Sequence, residues 1–150
     1  MSKQEPIKAM EIHGEKKKIV LAGNPNVGKS VFFNSLTGIY VDVSNFPGTT
    51  VDVSHGHFEE YAVIDTPGVY GISSFNDEEK VARDVILTAD LIVNVVDAVH
   101  LERDLFLSLQ VIETGIPTII VLNMMDDAKR EGLKIDLALL EEQLGVPVIP

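Results

Sequence analysis

The run GNPNVGKS, from Gly23 to Ser30, sets two glycines, a lysine and a hydroxyl at the spacing GxxxxGK[ST]. The chemistry this spacing serves is a grip on a chain of phosphates. Gly23 and Gly28 let the backbone of Asn24, Pro25, Asn26 and Val27 curl so that N–H groups face an anion. Lys29 adds a point charge for the outer phosphates, and Ser30 offers a hydroxyl to a magnesium ion. The motif lies between the apolar run IVLAG and the stretch VFFNSLTG, the strand-to-helix setting such a loop requires.

Three later stretches follow in the order a guanine-nucleotide hydrolase needs. In DTPG (Asp65, Thr66, Pro67, Gly68) the carboxylate can hold magnesium through water while the Gly68 N–H faces the terminal phosphate. In NMMD (Asn123 to Asp126, with Met124 second) the Asp126 carboxylate can accept both the N1 hydrogen and the exocyclic amine of guanine, a pair adenine does not present, with Asn123 in support. Between the loop and DTPG, NFPGTT contributes Gly48, Thr49 and Thr50. The Thr50 hydroxyl can complete a magnesium shell when the terminal phosphate is present and leave when it is gone, which makes residues 39–50 an expected mobile switch. Singly, DTPG reads as a turn, NMMD as a helix cap and Thr50 as a β-branched residue entering a strand. Their order, and their place at the carboxyl ends of buried strands where ligands bind in open α/β sheets, favours the joint reading. His55 and His57 lack a third ligand and read as hairpin residues, and the acidic run NDEE reads as a helix start.

Such residues need a scaffold that delivers them to one edge. IVLAG, VIDTPG, LIVNVVD and TIIVLN are Val- and Ile-rich runs closing on polar or Gly residues, the pattern of parallel strands buried on both faces. Helical periods fall between them at 29–36, 77–88, 101–114 and 137–144. The second opens with Asn76 three residues before Glu79, a capping-box spacing, and the third repeats Leu101, Leu105 and Leu109 before Gly115. The alternation predicts a three-layer α/β fold on a mostly parallel sheet. VDVSHGHF runs straight into EEYAVID, leaving no room for a crossover, so these two form an antiparallel hairpin at the sheet edge. Residues 1–16 show no sustained period and read as a flexible arm. The last strand, VPVIP, has no helix behind it, and the domain is expected to be incomplete at its C-terminal end.

Composition narrows the function. The 150 residues suit one domain and contain no Cys, so neither disulfides nor thiolate metal sites are available. A net charge of −11 opposes attraction to nucleic acid. Lys16 to Lys18 read as a solvated strand entrance, and no apolar run reaches the ~18 residues of a membrane span.

GNPNVGKS, NFPGTTVD, DTPGVY, NDEEKVARDVIL, NMMD and EGLKIDLALLEEQLGVPVI together make residues 17–150 resemble the amino-terminal G domain of the FeoB ferrous-iron transporters. The resemblance implies a P-loop GTPase fold of the Ras-like kind and slow, magnesium-dependent hydrolysis of GTP to GDP. It also implies a place at the cytoplasmic face of a membrane, ahead of a helical regulatory domain and an iron-carrying membrane domain in the same polypeptide. The alternative is a soluble ribosome- or RNA-associated GTPase, which the acidity disfavours; Met124 stands where such proteins usually have Lys. Three features depart from the family pattern: Phe46 stands where Trp is commoner, the fifth nucleotide motif is expected beyond Pro150, and the arm before residue 17 is long. The residue after Gly68 is Val69, which can neither orient a water as Gln does nor neutralise charge as Arg does. The resemblance implies that a potassium ion supplies that charge, held by Asn26, phosphate oxygens and carbonyls of the 39–50 switch. The expected catalytic set is then Asn26, Lys29, Thr50 and Gly68. The other reading of Asn26 is a residue that hydrogen-bonds only its own loop.

Overall fold

Runs of β-branched residues alternate with helical periods from residue 17 onward. The computed structural model, which describes residues 17–38, 41–73 and 76–150, gathers the runs into a single seven-stranded sheet. The expected arm at 1–16 and positions 39–40 of the expected switch lie outside the described residues. The strands are β1 (Lys18–Gly23), β2 (Asp42–Asn45), β3 (Asp52–Phe58), β4 (Tyr61–Asp65), β5 (Leu91–Asp97), β6 (Thr118–Asn123) and β7 (Val148–Ile149). Their spatial order is β2-β3-β4-β1-β5-β6-β7. From β4 to β7 all neighbours are parallel, while β3 is antiparallel to both β4 and β2.

The expected hairpin is β3–β4, with Phe58 opposite Tyr61 and Glu59 in the left-handed region at φ 54°. The structure adds β2 to its outer side, within the span read from sequence as a switch. All four β2 residues are exposed, so no alternation of apolar and polar residues announces the strand.

Among the described residues the helices are α1 (Lys29–Thr37), α2 (Asp77–Ile86), α3 (Leu101–Glu113), α4 (Met125–Arg130) and α5 (Leu137–Leu144), with a 3-10 turn at Ala98–His100 before α3. Strand side chains point alternately to the two faces, and β1 shows the consequence. Val20 and Ala22 pack with Val81 and Val85 of α2 and Leu107 and Val111 of α3, whereas Ile19 and Leu21 pack with Phe33 of α1. A third cluster joins Val96, Ile120, Leu122 and Val148 to Leu137, Leu140 and Leu144 of α5. The contact between α1 and β3 is close: a Cβ on Gly56 would lie 2.7 Å from the Thr37 methyl.

Helix ends follow the capping chemistry. Asn76 accepts the Glu79 N–H at 2.8 Å, but the Glu79 carboxylate reaches Ser73 rather than back to Asn76, so only half of the expected capping box forms. The acidic run NDEE is the α2 start, with Asp77, Glu78 and Glu79 in its first turn. On α3 the apolar repeat is not the core-facing stripe. The helix buries Asp104, Leu107, Ser108 and Val111, while Phe106 is 59% and Leu109 51% exposed.

Candidate nucleotide-binding site

The carboxyl ends of β1, β4 and β6 deliver GNPNVGKS, DTPG and NMMD to the same edge of the sheet. Gly23 closes β1 against Val95, whose carbonyl would lie 2.8 Å from a Cβ at that position. The loop then turns through two left-handed residues, Asn26 at φ 64° and Gly28 at φ 86°, before α1 begins at Lys29. Asn24, Pro25, Asn26, Gly28, Lys29, Ser30, Val31 and Gly68 line an open cavity of about 480 Å³. Val27 is fully buried and is not among the residues lining it.

Lys29 is only 8% exposed and donates to the Asp65 carboxylate and to the Thr66 carbonyl, so the motif lysine, which lines the cavity, is tied to DTPG. Burial pushes the Asp65 pKa above its ordinary 3.8, with the neighbouring Lys29 charge working in the other direction. Thr66 is buried and donates its hydroxyl to the Leu21 carbonyl at 2.7 Å, tying DTPG to β1. The Val69 N–H donates to the Gly23 carbonyl at 3.0 Å, and the Val69 side chain joins the core. A Cβ on Gly68 would lie 2.9 Å from the Pro25 Cα, so glycine is what allows the two motifs to touch.

NMMD reaches the same edge. The Asn123 side-chain amide donates to the Val27 carbonyl at 2.9 Å, and a Cβ on Gly28 would stand 2.2 Å from that Asn123 nitrogen. Met124, left-handed at φ 63°, opens the short helix α4, which the sequence pattern did not announce. Asp126 lies in the first turn of α4, exposed, beside a cavity of about 430 Å³ bounded by Leu122, Asn123, Met124, Met125, Asp127, Arg130 and Pro150.

Thr50 stands apart from these groups. It lies within the tight turn joining β2 to β3, in which the Phe46 N–H donates to the Val51 carbonyl at 2.7 Å and Thr49 donates through its hydroxyl to the Phe46 carbonyl at 2.7 Å. Gly48, Thr49 and Thr50 are not among the residues lining the cavity beside Lys29. His55, opposite Asp42, and His57 belong to the hairpin, and among the described residues no group of three or more potential ligands could hold a metal ion.

Sequence reasoning missed a buried polar cluster behind the phosphate loop. Asn24, Asn94, Asp104 and Ser108 are all 2% exposed or less. Asn24 donates to Asp104 at 2.8 Å, Ser108 donates to the Asn94 side chain, and Asn94 donates to the Ala22 carbonyl at 3.1 Å. The available signal was the polar Asn94 inside LIVNVVD and the pair Asp104 and Ser108, one helical turn apart on the Leu107 side of α3.

Comparison with known proteins places this geometry. Residues 17–150 match a family model described as ferrous iron transport protein B. The Fe(2+) transporter FeoB of Escherichia coli (strain K12) is 42% identical over 91% of this chain and 19% of its own length, so the chain spans about a fifth of such curated relatives. An NFeoB point variant from S. thermophilus bound to mGDP has a TM-score of 0.86 at 47% identity, covering 89% of this chain and 54% of that one. The FeoB G-domain from Methanococcus jannaschii gives 0.74 at 42%, covering 90% and 85%. The fold is therefore the P-loop GTPase α/β fold that these G-domains share.

Proposed function

The chain belongs to the ferrous iron transport protein B family, and from that premise we propose that it binds GTP and GDP and hydrolyses GTP as the cytoplasmic regulatory G domain of a ferrous-iron membrane transporter. In this reading residues 17–150 are the G domain and 1–16 a leading arm. A helical regulatory domain and a membrane domain belong to the same polypeptide. Among the described residues no helix is long and apolar enough to cross a membrane, which suits a controlling role over that of a conduit. The observation that carries the proposal is the meeting of three motifs: Lys29 on Asp65, Gly68 against Pro25, and Asn123 on the Val27 carbonyl.

Each motif then has a part. Loop N–H groups and Lys29 hold the phosphates, and Asp126 accepts from guanine N1 and its exocyclic amine. Asn123 positions the base motif by its bond to the loop. Ser30 opens onto the cavity and the Asp65 carboxylate is bonded to Lys29 of its wall, a donor set that suits magnesium, with Thr50 joining from the β2–β3 turn when a terminal phosphate is present. Asn26 is exposed on the cavity wall, and no hydrogen bond ties its side chain to the described residues. That supports its amide oxygen as a potassium ligand over a purely local role. Bound there, the two cations would stabilise charge that grows on the phosphates in the transition state. Val69 is buried and contributes nothing to that charge.

The test is GTP turnover by the full-length protein in potassium and in sodium at matched ionic strength. Turnover is expected to be faster in potassium, and Asn26→Ala is expected to remove the difference. Equal wild-type rates in the two salts would leave Asn26 a structural residue, and ATP competing as well as GTP would overturn the assignment of Asp126.

A further inference from the structure

The α3 carboxylate Asp104 is 1% exposed and accepts three hydrogen bonds from three places: Asn24 Nδ2 at 2.8 Å, the Asp97 backbone N–H at 2.9 Å and Arg103 Nε at 2.9 Å. A carboxylate taken out of water is tolerated only when its lone pairs are met in this way. An apolar side chain would fill the same space without that demand, so packing alone does not account for the charge. What the carboxylate holds is the second residue of the phosphate loop.

Its third donor leads outward. The Arg103 guanidinium lies over the Tyr70 ring, 5.7 Å from its centroid, within cation–π range. Tyr70 is 53% exposed and follows DTPG by two residues, in the segment whose glycine touches Pro25. One turn further along α3, Ser108 holds Asn94, and Asn94 holds the Ala22 carbonyl. The helix thus grips the phosphate loop at its entrance and again at Asn24.

We propose that Asp104 is a positioning residue for the phosphate loop, and that through Arg103 and Tyr70 it couples the loop to the segment following Gly68. The proposal rests on the guanine-nucleotide reading above. Whatever moves Tyr70 changes how much of the Asp104 charge Arg103 compensates, and so how firmly Asn24 is held. Charge and position make opposite forecasts. If Asp104 only repels phosphate, removing its charge tightens nucleotide binding whatever replaces it. If it positions Asn24, a replacement that keeps an acceptor preserves the loop and an apolar one loosens it.

The experiment is release of fluorescently labelled GDP from the full-length protein, measured well below its melting temperature. Asp104→Leu is expected to speed release on the order of tenfold, while Asp104→Asn stays within about twofold of wild type. Arg103→Ala, at a half-exposed site, is expected to speed release roughly threefold in wild type and to add nothing in the Asp104→Leu background. Equal effects of Leu and Asn, a folded Asp104→Leu protein with wild-type release, or full additivity with Arg103→Ala would each overturn the proposal. Should Asp104→Leu fail to fold, Asn24→Ala combined with Arg103→Ala reads the same coupling, and additivity there overturns it equally. A wild type that binds no labelled GDP would take the guanine-nucleotide reading down as well, whereas normal binding with every variant alike would remove only the role of Asp104.

Discussion

The phosphate end of the candidate groove and its base end are held by different amounts of protein. At the phosphate end, Asn24, Lys29 and Thr66 are 8% exposed or less, and each is bonded to another element: Asn24 to α3, Lys29 to β4 and Thr66 to β1. At the base end, Asp126 projects from the exposed first turn of a six-residue helix, and one described hydrogen bond, from Asn123 to Val27, ties the motif to the loop. On the proposed reading, charge recognition is built into the core, while base recognition is attached at its margin. Deep placement would give rigid geometry to the part of the ligand proposed to react, while the marginal part would need only to discriminate.

The comparison can be broken at Lys29. Lys29→Ala removes the one cation among the described residues of the cavity wall, and with charge-assisted bonds worth ~1.5–3 kcal/mol each, triphosphate affinity is expected to fall about a hundredfold or more. Titration with labelled GTP measures this, and a loss under tenfold would contradict a lysine-centred grip. At the other end, Asp126→Asn is expected to lower GTP affinity roughly thirtyfold and to raise that for xanthosine triphosphate, without changing the melting temperature by more than a degree or two. A large loss of stability would show that Asp126 is structural.

Gly28→Ala strikes the junction of the two regions. It forces a side chain onto a φ of 86° and a Cβ to within 2.2 Å of Asn123 Nδ2, so about 1–3 kcal/mol of stability and the Asn123 tether are expected to go together. Urea unfolding of the variant checks the first and base discrimination the second.

The smallest expected effect concerns pH. Asp65 has a raised folded-state pKa, chiefly through burial, so the folded protein retains that proton where the unfolded chain has lost it. Its contribution to stability is therefore most favourable at low pH and declines as pH rises from about 3.8 through the raised value, then stays level. In the nucleotide-free protein, the unfolding free energy of wild type relative to Asp65→Asn is expected to fall across that window. A difference that rises instead would mean that Lys29 outweighs burial.

The motifs and parallel strands were legible because each announces itself locally: a glycine spacing, a β-branched run, a polar end. The boundaries of α5 agree with those read from the pattern, 137–144. What was not legible depends on distant partners. Strand β2 has four exposed residues and exists by pairing with β3. Helix α3 carries apolar residues nearly all round, so the leucine repeat pointed to the wrong stripe. Which face is buried is decided by Asp104 and Ser108 reaching the phosphate loop and β5. Asn24 and Asp104 are 80 positions apart, and no local spacing connects them. The three motifs that meet at the sheet edge were readable, but the location of Thr50 on a closed turn, outside the residues lining the cavity, was not.

The contact between Gly56 and Thr37 has a mechanical meaning. Helix α1 is nine residues long, about 13 Å by its rise, and starts at the lysine of the phosphate loop. Its far end bears on the β3 backbone with no compressible side chain between them on the strand's part. The helix therefore works as a strut between the hairpin and the loop. At this joint the Thr37 side chain meets glycine backbone, so the hairpin and the loop that carries Lys29 are spaced by the length of one helix.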